Sequence, residues 1–576
     1  MRYFLKKSFP SKKGIYLQIY ESSYISGKGS RNRSYRAIGY VSELLKKGIK
    51  DPVKYAQHLV DELNKTIPSK REAKIGEYSN NLNLGYFLLK SMLDFLEPDE
   101  ILNLMSRNKR FSFNLSDFVR SMIYAQIVNP ASKHKAFEKV MPCIYGAETF
   151  SYNQILDTVN YIGGDYQKLI ELFNLQISKK WKRNTSNLLF DCTNYYFEVD
   201  FPKDERQYGP SKEERHLPII GQALLLDEDQ IPIGMSLYPG NQSEKPELRK
   251  NIENLKERFD IKGRVVQIAD KGLNCAKNIY SAVKESNDGY IFSKSVHGKA
   301  LSKAEKQWVL LEDDDANLWH DVLDSNGKLS YRWKECIDVY DYSFTNENGE
   351  KISFKTKEKR IVTFNPTLAR KQKVQIQKQI DKAKNMNTIR QLSKEDYGDS
   401  IKYVKFITKD KDGNTITPIP TMNEDKIQED LTFAGYNLLV TSEWKKEATE
   451  IYRAYHSLWK IEESFRVMKT YLEARPVYLQ KLDSIYGHFT ICYLALTVLR
   501  LLELKVFDNE LSIGQIVDFI RDYNITETLD GNYINTAHKS KALEVIKQRY
   551  SLTKLDNLNL NKKSANNILN AELYFD

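Results

Sequence analysis

Residues 188–199 read LLFDCTNYYFEV, an aromatic and apolar run with a single aspartate, Asp191, inside it. A short run of this composition predicts a buried strand. An ionised carboxylate at such a position is costly unless it is paired, hydrogen-bonded or bound to a cation. Working outward, GQALLLDEDQIPIGMSLYPGN (221–241) predicts two further strands joined by the acidic turn 227–230. GRVVQIAD (263–270) and GYIFS (289–293) predict a fourth and a fifth, with charged helices over 246–259 and 273–285. A three-strand meander followed by helix, strand, helix, strand is a mixed α/β order with a five-stranded sheet.

Residues 299–435 interrupt this grammar with polar, lysine-rich sequence, short strand-like pieces and a charged helix from Leu368 to about Lys384. They are expected to form an inserted domain. GYNLLVTSEW (435–444) then resumes the strand pattern, a long helix begins at Glu447, and an apolar helix follows at 485–505. Ahead of the core, 1–80 reads as a basic N-terminal α/β region and 81–180 as a small helical unit. The latter is expected to be a DNA-binding domain, of the sort that docks on DNA, or equally a helical domain with no ligand. The expected organisation is therefore 1–80, 81–180, 181–298 (first part of the core), 299–435 (insertion), 436–505 (second part) and a helical 506–576.

The chain has 576 residues, 41% of them hydrophobic and 28% charged, which argues against wholesale disorder. Residues 1–50 hold twelve Lys/Arg and two acids, nearly the whole formal charge of +11. Such a block suits nucleic acid or an anionic membrane surface, or is a solvated basic arm. Five scattered cysteines without CxxC spacing argue against a disulfide framework or a zinc finger, and for a reducing cytosol. The first residues lack the apolar stretch of a signal peptide. The longest apolar run, 489–499, is eleven residues, against roughly 20 for a bilayer span. A soluble protein is expected.

Three carboxylates stand out. Asp191 lies within a strand, and Asp270 ends the strand VVQIAD, where ligands gather in α/β sheets. Glu462 lies in the helix YRAYHSLWKIEESFRVMKTYLE (452–473). There Tyr455, Glu462 and Lys469 are spaced by seven and seven, and a heptad drifts only ~20° on an ideal helix. Arg466 projects within about 40° of Glu462, and Glu463 about 100° away, toward the outer side. Leu458, Ile461, Phe465 and Met468 make a separate apolar stripe. A lone aspartate is more often a salt bridge or helix cap, and the helix alone is equally an amphipathic helix with ordinary charge pairs. Together, two strand aspartates and a helix glutamate can hold two Mg2+ or Mn2+ ions through hard oxygen ligands, suited to displacement at phosphorus.

These segments, in this order, resemble DDE transposases of bacterial insertion sequences, in the branch whose glutamate helix carries a Tyr-x2-Arg-x3-Glu-x6-Lys signature. LLFDCTNYYFE matches the first-aspartate strand, QIADKGLN the second, YHSLWKIEESFRVMK the signature helix, and RPVY and GHFTICYLAL the elements after it. Leu458 stands where the signature has arginine. The intervals are 79 residues from Asp191 to Asp270 and 192 from Asp270 to Glu462, the second long enough for an insertion. The resemblance implies an RNase H-like core interrupted by that insertion. It implies metal ligation by Asp191, Asp270 and Glu462, and phosphate contacts from Tyr455, Arg466 and Lys469, with Lys271 and His488 as further DNA-contact candidates. It also implies a dimer pairing two inverted-repeat ends of double-stranded DNA, end cleavage followed by strand transfer into target DNA, and a cytoplasmic, nucleoid-associated location without membrane contact. Two other readings fit the same residues: a DNA-binding relative without catalysis, and a nuclease that cleaves and does not join.

Overall fold

The computed structural model describes residues 2–10, 14–25, 29–65, 81–106, 109, 111–213, 215–259, 261–298, 300–311, 318–384, 398–409, 415–528 and 530–575. The chain divides into two compact units. One comprises residues 1–80, 526–534 and 559–562, and the other holds the remainder.

In the first unit, strands β1 (Arg2–Ser8), β2 (Tyr16–Ile25) and β3 (Gly29–Tyr40) form an antiparallel sheet. Helices Val41–Lys46 and Pro52–Lys65 follow, and Leu17, Leu44 and Ala56 form the buried centre. The basic stretch after Gly29, which reads as a loop in sequence, is extended strand. It pairs with β2 from Tyr16↔Tyr40 to Ile25↔Gly29, with two register shifts. Arg31, Arg33 and Arg36 on it are exposed.

The second unit opens with the short strand β4 (Asn81–Asn83) and helices running to Lys180. Residues 82–105, whose apolar spacing predicts one helical stretch, hold two helices, Phe87–Leu96 and Asp99–Ser106. The break falls at Glu97, left-handed at φ 50°, ahead of Pro98, whose ring disfavours helix for the residue before it. Helix Tyr152–Gly164 packs on the apolar helix Leu482–Leu501 at glycine contacts. A Cβ on Gly163 would stand 1.6 Å from the Asp483 carbonyl oxygen, and one on Gly487 1.9 Å from that of Val159.

The centre of this unit is one mixed sheet of nine strands: β5 (Asn187–Tyr196), β6 (Ile219–Leu226), β7 (Pro232–Pro239), β8 (Val266–Ala269), β9 (Gly289–Lys294), β10 (His320–Leu323), β11 (Leu329–Thr345), β12 (Lys351–Phe364) and β15 (Tyr436–Thr441). A separate hairpin, β13 (Val404–Lys409) and β14 (Thr415–Met422), precedes β15. The order across the sheet is β10-β11-β12-β15-β9-β8-β5-β6-β7. β5, β8 and β9 are parallel neighbours, and the other pairings are antiparallel. The five strands expected from sequence are adjacent here, and β15 with three strands of 299–435 widens the sheet beyond them. β12 is tied in by a buried network, in which the Tyr290 and Tyr342 hydroxyls donate to Glu358 at 2.6 and 2.8 Å and Arg360 Nε donates at 2.7 Å.

The period of two along β5 sends alternate side chains to opposite faces. Leu188, Phe190 and Cys192 join the core cluster that also holds Leu248, Ile252 and Ile279. Tyr195, on the opposite face, meets Phe489 at 4.8 Å between ring centroids. Asp191 shares that second face, the one covered by the helices after β15. Among the described residues no helix is long and apolar enough to cross a membrane.

Candidate active site

Phe190 on β5 pairs with Ala269 on the parallel strand β8, so the next residues, Asp191 and Asp270, are side by side at the carboxyl edge of the sheet. The segment carrying Glu462 runs as helix Ala448–His456, helix Trp459–Arg466 and a wider π turn Val467–Tyr471. Ile461, Phe465 and Met468 are buried beneath it, and this apolar stripe holds it on the sheet. From it the Tyr455 hydroxyl donates to Asp270 Oδ1 at 3.1 Å. Burial, then the Asp270 carboxylate, push the Tyr455 hydroxyl up and keep it protonated, with Glu462 adding to the effect. Asp270, Lys271, Tyr455 and Glu462 line one cavity of about 460 Å³ together with Lys294, His297 and Tyr452. Asp191 is not part of that lining and sits one strand over.

Asp191 is half-buried and accepts the Cys192 backbone N–H at 2.7 Å. Burial raises its carboxyl to about 6, with Glu244 and Asp270 also raising it and Lys212 and the Cys192 N–H pulling it down. Lys212 ion-pairs with Glu244 at 3.2 Å and donates to the Cys192 carbonyl. A carboxyl whose proton affinity neighbouring carboxylates raise is one that a divalent cation relieves, and an all-oxygen donor set suits Mg2+ or Mn2+. The residues present therefore fit such ions. Asp191, Asp270 and Glu462 do not converge to a closed ligand set. Among the described residues the one group of three with ligand atoms within 4.8 Å of one another is His297, Glu429 and Asp430. Its carboxylates are already engaged by Lys306, Lys402, Lys426 and the Tyr403 hydroxyl, which marks it as an ion-pair network.

The remaining sequence-derived candidates separate. Arg466 is 67% exposed and stands 3.6 Å from Glu463. Lys469 leaves the stripe of Tyr455 and Glu462, because the π turn Val467–Tyr471, with its extra residue, spoils the heptad register after Glu462. It ion-pairs with Glu213 at 3.2 Å, which Arg475 also meets at 2.8 Å, and burial lowers its pKa. Lys271 is exposed at the cavity beside Asp270. His488 is buried away from the acids, with Nδ1 3.2 Å from Lys133 Nζ and Nε2 3.0 Å from the Ala474 carbonyl.

Glu463 does not face outward. Its side chain is 11% exposed and sits 3.0 Å from Arg500 and 3.1 Å from Lys460, in a network completed by Glu503. The apolar helix 482–501 covers this side, and Arg500 at its end supplies the cation. Sequence reasoning missed Lys212 and Glu244 as neighbours of Asp191. Both lie in the segments flanking the meander strands, where strand periodicity has no means of placing a side chain. No protein-family model matches the chain, and no curated protein matches it.

Proposed function

We propose that this chain is a DDE-type transposase, which cleaves phosphodiesters at the ends of a DNA element and joins the freed 3′-hydroxyl to target DNA. The observation that carries the reading is the placement of Asp191 on β5 next to Asp270 at the end of the parallel strand β8, with Tyr455 and Glu462 brought from two distant helices to the cavity of Asp270. Under this reading β5–β9 and β15 form an RNase H-like core, and 299–435 is an insertion that precedes the glutamate helix.

Asp191, Asp270 and Glu462 would hold two Mg2+ or Mn2+ ions. When bound, such ions lower the pKa of an attacking water or sugar hydroxyl and neutralise charge at the leaving oxygen. The chain's own residues supply the rest. Tyr455 orients Asp270 through its hydroxyl. Lys271 and Lys294, at the cavity, and the exposed Arg466, four residues along from Glu462, would offer cations to the phosphates flanking the scissile bond. The burial of Glu463 leaves Glu462 as the free carboxylate of the pair. The exposed arginines of β3 add sequence-independent attraction to DNA, which salt weakens.

A second reading, a DNA-binding relative without catalysis, is favoured by Leu458 in place of the signature arginine and by the open spacing of the three acids. Mn2+ titration followed by electron paramagnetic resonance separates the two. The transposase reading expects two ions per chain in the wild type, lost in Asp191→Asn, and a joined product when the element's ends are mixed with target DNA. Absence of bound Mn2+ in the wild type would leave the binder reading. Cleaved ends without a joined product would make the chain a nuclease.

A further inference from the structure

We infer that a second cavity, whose lining includes the buried Lys133 and His488, is a pocket for a phosphate group, and that its occupant is a backbone phosphate of DNA. The source of the phosphate rests on the DNA-processing reading above, whereas the anion chemistry of the pocket stands without it.

The cavity has a volume of about 460 Å³ and is lined by 130–135, Tyr152, Glu473, 476–479 and His488. Lys133 is 5% exposed. Its ammonium donates to Gln126 Oε1 and to His488 Nδ1, each at 3.2 Å. No carboxylate lies at ion-pair distance from it among the described residues, whereas the buried Arg360, Lys460 and Arg500 each have one. His488 cannot serve as counter-ion. Its Nε2–H donates to the Ala474 carbonyl at 3.0 Å, which leaves Nδ1 as the acceptor for Lys133 and the ring neutral. Burial and Lys133 hold its pKa down, to about 3. Burial likewise lowers Lys133, to about 8.

A buried ammonium without a counter-charge is expensive, and an anion in the adjoining cavity offsets that cost. The lining adds the exposed Lys135 against the acid Glu473, while His134, also in the lining, stands 3.4 Å from Glu138. Lysine acts toward phosphate as a point charge, and the volume is far greater than one oxyanion needs, so there is room for the sugars flanking it. Tyr478, 67% exposed, lies on the segment that leads straight on from the helix carrying Glu462, which puts this cavity next along the chain from the acid site.

The test uses the full chain and two readouts. In the first, thermal melting is followed with and without inorganic pyrophosphate. In the second, DNA affinity is measured across a salt series. Wild type should melt higher with pyrophosphate, and Lys133→Met should not respond. Losing one phosphate contact should reduce the slope of log affinity against log salt by about 0.9. If Lys133→Met does not fold, the exposed rim variant Lys135→Gln with Tyr478→Ala is read in the same two ways. A pyrophosphate response that depends on Lys133 with an unchanged salt slope upholds the anion pocket and overturns DNA as its source. The same response from a protein that binds no DNA at all upholds the pocket while the DNA-processing reading fails. Wild type and variants alike in both readouts would overturn the inference.

Discussion

Two adjacent glutamates do opposite work. Glu462 is exposed at the cavity of Asp270, whereas Glu463 is committed to Arg500 and Lys460. Glu463→Gln should therefore lower stability by about 1–3 kcal/mol, the cost of a buried charge losing a partner. Glu462→Gln should change stability by no more than about 0.5 kcal/mol, as an exposed substitution does. Urea unfolding of both variants checks this, and equal losses would contradict the assignment. Tyr455→Phe removes the hydrogen bond to Asp270, a bond to a charged group worth about 1.5–3 kcal/mol. It should lower the unfolding midpoint and slow DNA cleavage tenfold or more at a temperature where the variant is fully folded. His488 gives a pH signature. Its folded pKa, about 3, lies below the unfolded value near 6.5, so the unfolded chain binds the proton first. The stability it contributes is complete above pH 6.5 and is lost as pH falls toward 3, at up to about 1.4 kcal/mol per pH unit. His488→Gln keeps an acceptor for Lys133 and a donor for Ala474 and should flatten that dependence between pH 6.5 and 5. An unchanged pH profile would show that His488 charges freely in the fold.

At the scale of elements, what sequence could reveal depended on burial. β5, β6, β7, β8, β9 and β15 are apolar on both faces or nearly so, and their runs of apolar residues were legible with the turns between them. Asp191 was legible for the same reason, as a charge where a charge is costly. β11 and β12 were harder. Much of their hairpin is exposed or half-buried, so its polar alternation reads as surface, and nothing local says that β12 joins β15. The π turn Val467–Tyr471 that follows Glu462 is set by packing, which periodicity does not carry. For that reason Tyr455 and Glu462 share a cavity while Lys469 does not. The contact between helices Tyr152–Gly164 and Leu482–Leu501 was invisible because glycine has no periodic signal. Gly163→Ala would drive a methyl into the Asp483 carbonyl and should destabilise by at least about 1–3 kcal/mol, seen as a lowered unfolding midpoint. An unchanged midpoint would mean that the helices are not this close.

Across the whole molecule, charge and chemistry fall in different units. The basic excess belongs mainly to residues 1–50, in the first unit, while the acids and the Lys133 cavity belong to the second. Replacing Arg31, Arg33 and Arg36 with glutamine should therefore lower the salt slope of DNA binding by up to about 3 without abolishing metal binding at the acids. The reading of the three carboxylates as a phosphodiester-cleaving centre is tested by nicking of end-labelled DNA carrying the element's own termini. Wild type and Glu462→Gln are compared with Mg2+ or Mn2+ present. Wild type should nick at the terminus, and Glu462→Gln should bind the same DNA with unchanged affinity and leave it intact. Nicking by Glu462→Gln at the wild-type rate, or binding without nicking by both proteins, would contradict that reading.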